Sequence, residues 1–262
     1  MQALILAGGL GTRLRALVSD RPKPLAEVEG KPFLAYLLEQ LRAAGFCELV
    51  LCVGYKAGQI QAYFGDGSAW GVHIDYAVET QRLGTAGAIK NAARFVDGPF
   101  LALNGDSYLE LNFQDMVNYH RRRRAANPRL LGSLAAVSVD DASAYGTLEL
   151  DEAKCIVRFR EKEAGGSGWI NGGVYVLEPE ILDLIPPGQA VSIEKEIFPQ
   201  ALEQGYALLA YPVAGFFVDI GTPEGYRRFQ NMVAQAGTLI TQSVTEDTQR
   251  HTEDSKEVKS SL

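Results

Sequence analysis

The sequence is poor in the groups from which metal clusters, disulfide frameworks and membrane spans are built. It has three cysteines, Cys47, Cys52 and Cys155, and they form no CxxC pair. An odd, scattered set argues for a reducing compartment and against a structural zinc site. The three histidines, His73, His120 and His251, are equally scattered. No stretch approaches the roughly 18–20 apolar residues needed to span a bilayer. The start, Met1-Gln-Ala-Leu-Ile-Leu-Ala-Gly-Gly9, lacks the basic region and the long apolar core of a secretory signal. Positive charge is also short: 25 Lys and Arg stand against 32 Asp and Glu, a net charge of −7. Nucleic-acid-binding modules show a basic excess instead. The basic run Arg121–Arg124, after Tyr119 and His120, fits the end of a solvated helix, where cations suit the macrodipole. These absences predict a soluble, cytoplasmic protein that binds neither nucleic acid nor membrane.

What is present suits one α/β domain. The chain has 262 residues, 47% of them hydrophobic, enough for a sizeable core without disulfides. Residues 2–6 are a short apolar run stopping at Gly8-Gly9, as a buried parallel strand does. Phe33, Leu34, Leu37, Leu38 and Leu41 recur at helical spacing, with Gly45 as a stop. Strands follow at 48–53, 72–78 and 100–104, with helices at 57–64 and 85–95. This alternation predicts right-handed βαβ units and an open parallel sheet. Ligands then bind outside the carboxyl ends of the strands. Beyond residue 130, strand-like segments at 131–139, 146–150, 155–160 and 170–177 predict a mixed or antiparallel continuation. Helices near 179–185, 193–204 and 223–235 and a strand near 206–212 complete the domain, 1–236. Residues 237–262 turn polar and are expected to be a disordered tail.

Two segments carry the first chemical signal. In Leu6-Ala-Gly-Gly-Leu-Gly-Thr-Arg-Leu-Arg15, glycines let successive N–H groups approach an anion, and Arg13 adds a fork of donors suited to phosphate. The segment misses the dinucleotide pattern GxGxxG, having Leu14 at the third glycine, and it misses the P-loop, having no Gly-Lys-Ser/Thr. Next comes Arg21-Pro-Lys-Pro-Leu25. Prolines on both sides disfavour helix, so Lys23 is expected on a stiff extended stretch.

Together, Gly8-Gly-Leu-Gly-Thr-Arg-Leu-Arg-Ala-Leu-Val-Ser-Asp-Arg-Pro-Lys-Pro-Leu25 resembles the sugar-1-phosphate nucleotidyltransferase family, whose signature is approximately GGxGTRLxPLTxxxPKPL. It departs at Ala16 and Val18, where proline and threonine are usual; neither position supplies a charged group. Later segments match in order: Glu79-Thr-Gln-Arg-Leu-Gly-Thr-Ala-Gly87, Asn104-Gly-Asp106, Tyr145-Gly146, Glu161-Lys162, Asn171-Gly-Gly-Val-Tyr175, Ser192-Ile-Glu-Lys-Glu-Ile-Phe-Pro199 and Phe217-Val-Asp-Ile-Gly-Thr222. The resemblance covers roughly residues 2–230. It implies a Rossmann-like three-layer αβα sandwich with a mixed, mostly parallel central sheet, the nucleotide-diphospho-sugar transferase fold.

The resemblance also implies roles. Leu6, Ala7, Gly8, Gly9, Gly11, Thr12 and Arg13 would cradle a triphosphate, with Glu79, Gly84 and Thr85 toward the base. Asp106 and Asp219 would hold Mg²⁺, a hard ion that prefers oxygen ligands. Lys23 would lie between nucleotide and sugar phosphates, and Lys162 would hold the sugar phosphate. Asn104, Gly146, Glu161, Asn171, Gly172 and Lys195 would line the sugar side. Arg13, Lys23, Asp106, Lys162 and Asp219 form the expected catalytic set. The reaction is an in-line attack of a sugar 1-phosphate on the α-phosphorus of a nucleoside triphosphate, releasing pyrophosphate.

Glu79 leans the base toward guanine, whose adjacent N1–H and 2-amino donors suit a carboxylate, so GTP is the expected donor and UTP the alternative. The stretches Val18–Leu25 and Lys31–Leu38 look most like D-glycero-α-D-manno-heptose 1-phosphate guanylyltransferases. The 192–199 run and Leu83–Gly87 look like mannose 1-phosphate guanylyltransferases. N-acetylmuramate 1-phosphate uridylyltransferases stand third. A non-catalytic nucleotide-sugar sensor would be expected to lack a metal or phosphate residue, and all five are present. A dinucleotide oxidoreductase is opposed by Leu14 and Lys23. A homo-oligomer through the C-terminal half stays open.

Overall fold

The computed structural model describes residues 1–11, 21–160 and 166–236. Thr12, Arg13, Glu161, Lys162 and the polar tail lie outside the described residues. The chain opens with β1 (Ala3–Leu6), then a 3₁₀ turn at Lys23–Leu25 and a small ribbon of β2 (Glu27–Val28) and β3 (Lys31–Pro32). Next come α1 (Phe33–Ala43), β4 (Glu48–Val53), α2 (Ala57–Phe64), β5 (His73–Val78), α3 (Gly84–Asn91), β6 (Phe100–Asn104), β7 (Ser107–Leu109) and α4 (Phe113–Ala126). The second half holds β8 (Leu130–Val139), β9 (Thr147–Leu150), β10 (Ile156–Arg160), β11 (Gly168–Leu177), α5 (Phe198–Glu203), β12 (Ala207–Val213) and β13 (Phe217–Asp219). A helix over 223–236, α6, closes the described chain.

Nine strands form one sheet among the described residues. β1 lies parallel between β4 and β6, and β5 is parallel to β4. β11 then runs antiparallel to β6, β8 and β9. The apolar runs of β1, β4 and β6 are continuous because both faces are covered. Alternate side chains feed two cores. Ala3, Ile5, Leu49, Leu51, Leu101 and Leu103 join residues of α1, α2, α4 and α6 on one face. Leu4, Val50, Cys52, Phe100 and Ala102 join residues of α3 and α5 on the other. The result is the three-layer sandwich with a mixed sheet that the sequence predicts.

Several expectations need correction. Lys23 is not on an extended stretch. Pro22 is extended, but Leu25 N–H then donates to Pro22 O (2.9 Å) and Ala26 N–H to Lys23 O (2.9 Å), making a 3₁₀ turn. Pro24 occupies a turn position where no N–H is needed. The 179–185 helix is a 3₁₀ stretch, Pro179–Leu184. The 193–204 helix begins as a π turn, Ile193–Ile197, before α5. Pro199 lacks an N–H and its ring presses on the preceding turn, which a widened turn relieves. The strand near 206–212 is present, but it pairs parallel with β8. β7 and β13, three residues each, were not expected as strands, and they pair with each other. Arg123 and Arg124 do end a helix, α4, as the charge pattern suggests. Among the described residues no helix is long and apolar enough to cross a membrane.

Candidate active site

The site lies where the parallel strands end. Gly105 N–H donates to Leu6 O (2.9 Å), and Ala7 N–H to Cys52 O (2.8 Å), so the chain leaves β1 wedged between β4 and β6. Gly8 comes next. A Cβ there would lie 2.4 Å from Glu79 Oε1, so a side chain at this position would push that carboxylate off the backbone. Gly11, with φ +61°, rests on the Cβ of Lys23 and joins the glycine loop to the Pro-Lys-Pro turn. Leu6, Ala7, Gly8, Gly9, Gly11, Glu79, Gly84, Thr85, Asn104 and Asp106 line one cleft, with Lys23 on its wall. Sequence reasoning passed over Arg82 and Pro24, which line it too. Arg82 stood in plain view, as a positive charge inside the Glu79–Gly87 segment.

The polar centre joins three remote pieces of chain. Lys23 Nζ lies 2.7 Å from Asp106 Oδ2; the lysine side chain is 9% exposed and the aspartate 39%. Asp106 sits just past β6, in the turn before β7. Antiparallel pairing of β7 with β13 sets Asp219 opposite Ser107, and Ile220 N–H donates to Asp106 O (3.0 Å). Asp219 Oδ1 accepts from Gly221 N–H at 2.6 Å. A Cβ on Gly221 would lie 2.6 Å from Asp219 Oδ1 and 2.8 Å from Lys23 Nζ, so ammonium and carboxylate share one small space. Two carboxylates, one well exposed, are a donor set that suits Mg²⁺, which takes its other ligands from phosphates and water. Among the described residues no group of three or more His, Cys, Asp or Glu could hold a metal.

Glu79 is half-buried at the end of β5. Burial pushes its carboxyl above the usual carboxylate range, and the Leu83 N–H on Oε2 (3.2 Å) pulls the other way. Thr85 opens α3. Its hydroxyl donates to Glu194 Oε2 (2.8 Å) and accepts from Ile193 N–H (2.8 Å). Gly84 has φ +68° and lies so close to Val191 that a side chain would meet its carbonyl at 2.5 Å.

The described sugar-side residues are spread from the end of β6 (Asn104) through the turn before β9 (Gly146) and β11 (Asn171, Gly172) to the π turn (Lys195). Asn171 donates to Tyr175 OH (2.8 Å) and accepts from Gly173 N–H (2.9 Å), so its amide is engaged within the protein. Gly172 is buried against Leu109 and Ala135. Asn104 meets Gly173 and the Tyr175 hydroxyl. Gly146 lies against Arg160 O, where β10 ends. Tyr145 packs on Phe217 at 5.9 Å; burial and then Asp219 push its hydroxyl pKa up, tying this turn to the second aspartate. Lys195 is exposed on the π turn, whose Ile193 and Glu194 bond to Thr85 at the cleft.

A glycine-lined cleft at the carboxyl ends of a mostly parallel sheet, with Lys23 paired to Asp106 and close to Asp219, is the candidate site of this α/β protein. Residues 2–236 match the nucleotidyl transferase family, and the chain belongs to it. It is 38% identical to a mannose-1-phosphate guanylyltransferase of Mycobacterium tuberculosis, covering 87% of this chain and 63% of that one. It is 36% identical to a D-glycero-α-D-manno-heptose 1-phosphate guanylyltransferase of Campylobacter jejuni, covering 87% and 98%. The chain therefore spans under two thirds of the mycobacterial relative and nearly all of the Campylobacter one. The crystal structure of HddC from Yersinia pseudotuberculosis superposes with a TM-score of 0.77 at 33% identity, covering 88% of this chain and 99% of that one.

Proposed function

We propose that this protein transfers guanylyl from GTP to a sugar 1-phosphate, forming a GDP-sugar and pyrophosphate, with D-glycero-α-D-manno-heptose 1-phosphate as the acceptor. The observation that carries the reading is Lys23 paired to Asp106 in the glycine-lined cleft, with Asp219 close by. The acceptor needs no general base. A phosphate monoester, with its second pKa at about 6, is largely dianionic at neutral pH. The tasks left to the protein are orientation and neutralisation of charge.

The backbone at Gly8, Gly9 and Gly11 faces the triphosphate, and the resemblance to the family gives Thr12 and Arg13 the same ligand, with Arg13 for the departing phosphates. Lys23 stands between the phosphates that react, and Lys162 holds the sugar phosphate. Asp106 and Asp219 would hold Mg²⁺, whose chemistry there would be neutralisation of phosphate charge. Glu79 accepts from the guanine N1–H and 2-amino group. Its half-burial strengthens such bonds by excluding water. Guanine also has the support of an HddC crystal structure from Yersinia pseudotuberculosis solved with GMP-PN.

Heptose is supported by the likeness reaching across nearly the whole Campylobacter enzyme. Mannose 1-phosphate is the second reading, on the 38% identity of the mycobacterial relative against 36% for the Campylobacter one. A pyrophosphate-release assay crossing GTP, UTP, CTP, dTTP and ATP with heptose, mannose, glucose and muramate-type 1-phosphates decides among them. No turnover with any pair removes the enzymatic reading. Turnover with UTP and not GTP removes the role given to Glu79.

A further inference from the structure

Glu194 ends a hydrogen-bond network that joins the two sides of the cleft. Its Oε2 accepts from Thr85 Oγ1 and from Ser192 Oγ, each at 2.8 Å, and its Oε1 from Tyr175 OH at 3.2 Å. Each of these hydroxyls also accepts a bond of its own. Thr85 Oγ1 accepts from Ile193 N–H (2.8 Å), Ser192 Oγ from Lys195 N–H (3.2 Å) and Tyr175 OH from the Asn171 amide (2.8 Å). The three hydroxyl protons therefore converge on one carboxylate, an acceptor-only group. No other side chain of this size could take all three. An amide would turn an N–H₂ toward a donor whichever way it faced.

The network reaches the site at both ends. Thr85 lines the cleft at the first turn of α3. The segment before it is held by Glu79 through Leu83 N–H and by Val191 N–H on Leu83 O (2.9 Å). At the other end, Tyr175 is fully buried and meets Asn104, two residues before Asp106. We infer that Glu194 is a positioning residue: its carboxylate holds the nucleotide-side loop 79–85 in register with the β6 end that carries Asp106. This rests on the guanylyltransferase reading of the same cleft.

The test uses the full chain with Glu194→Gln, Thr85→Val and the double variant. Calorimetry gives the GTP Kd without turnover, and steady-state kinetics give kcat and each KM. Glu194→Gln should weaken GTP binding about tenfold, the scale of one charge-assisted hydrogen bond, and lower kcat as well. Thr85→Val should weaken GTP in the same direction, and the double variant should be no weaker than Glu194→Gln alone, because both cut one link. A role in stability alone would lower Tm and leave the Kd of the folded protein unchanged. Kd and kcat of Glu194→Gln within about twofold of the parent would overturn the inference. If Glu194→Gln does not fold, Thr85→Val decides by the same Kd. A parent that turns over GTP beside unaffected variants defeats this inference only; a parent that neither binds nor turns over GTP defeats the guanylyltransferase reading and this inference with it.

Discussion

Two clusters in this protein pair a carboxylate with a basic side chain, and they have opposite fates. Lys23, Asp106 and Asp219 meet at the strand ends, where the Asp106 side chain is 39% exposed. His120, Glu178 and Ser133 meet between α4 and β8, where they are 1%, 6% and 0% exposed. His120 Nδ1 lies 3.0 Å from Ser133 Oγ and Nε2 lies 3.0 Å from Glu178 Oε1. A carboxylate only accepts, which places the ring proton on Nε2 and lets Nδ1 accept from the serine. Read as residue types, the second cluster is a Ser-His-Glu hydrolytic set. Buried and saturated, it has no face to offer a substrate. The proposed chemistry is assigned to the cluster in which Asp106 stays exposed; the sealed one holds α4 to the sheet.

That contrast can be broken by exchange of single groups. Asp106→Asn and Lys23→Ala should each lower kcat by about three orders of magnitude, roughly 4 kcal/mol of transition-state stabilisation, with the fold intact by circular dichroism. Full activity in either variant would remove that residue from the site. Glu178→Ala should do the reverse. It leaves His120 and Arg124 without the partner found at 3.0 and 3.5 Å, and should cost about 3 kcal/mol in denaturant unfolding while kcat/KM of the folded enzyme holds. A fall in kcat/KM with unchanged stability would move that cluster into the mechanism.

Glu79→Gln sharpens the comparison inside the cleft. It should reduce kcat/KM for GTP by about tenfold and improve UTP relative to GTP, because an amide replaces one acceptor by a donor. An unchanged GTP-to-UTP ratio would take Glu79 off the base. The smallest effect concerns pH. Burial lowers the His120 pKa; Arg124 and Arg121 push the same way, and Glu178 opposes them. The imidazole is thus neutral in the native state, and its contribution is complete above about pH 6.5, the unfolded value. Below that the unfolded chain takes up a proton that the native one resists, so stability is lost as pH falls. Unfolding curves at falling pH should lose less in His120→Gln than in the parent; equal losses would show that His120 is not the group responsible.

Legibility followed distance along the chain. β1, β4 and β6 could be read directly, because burial on both faces demands continuous apolar runs with glycine or polar residues at their ends. Gly8 and Asp106 came with them, sitting one or two residues past such runs. Asp219 came only through resemblance to a family. β13 is three residues long, and its partner β7 lies more than 100 residues earlier, so no local periodicity announces either. The turn at Lys23 was misjudged for a similar reason. Proline restrictions act locally, whereas the turn is held against Gly11 and Asp106 from elsewhere. Glu194 stood inside a run of the sequence that matches the family, yet its neighbour Lys195 drew the attention. Three hydroxyls converging on one carboxylate come from three segments, and no spacing rule foresees that.

Pattern was thus enough for the open parallel sheet and its mixed continuation, because hydrophobic burial and backbone sterics are read residue by residue, while the three-layer sandwich and the candidate site groups came through the resemblance to a family. Which of those groups meet was a matter of long-range folding. Lys23 faces Asp106 and Asp219 because a short ribbon of β7 and β13 closes over the strand ends. Thr85 and Asn171 are tied into the fold through Glu194 and Tyr175, in bonds that span remote segments. Hydrogen bonds between remote segments depend on angles and distances that no single stretch of chain contains.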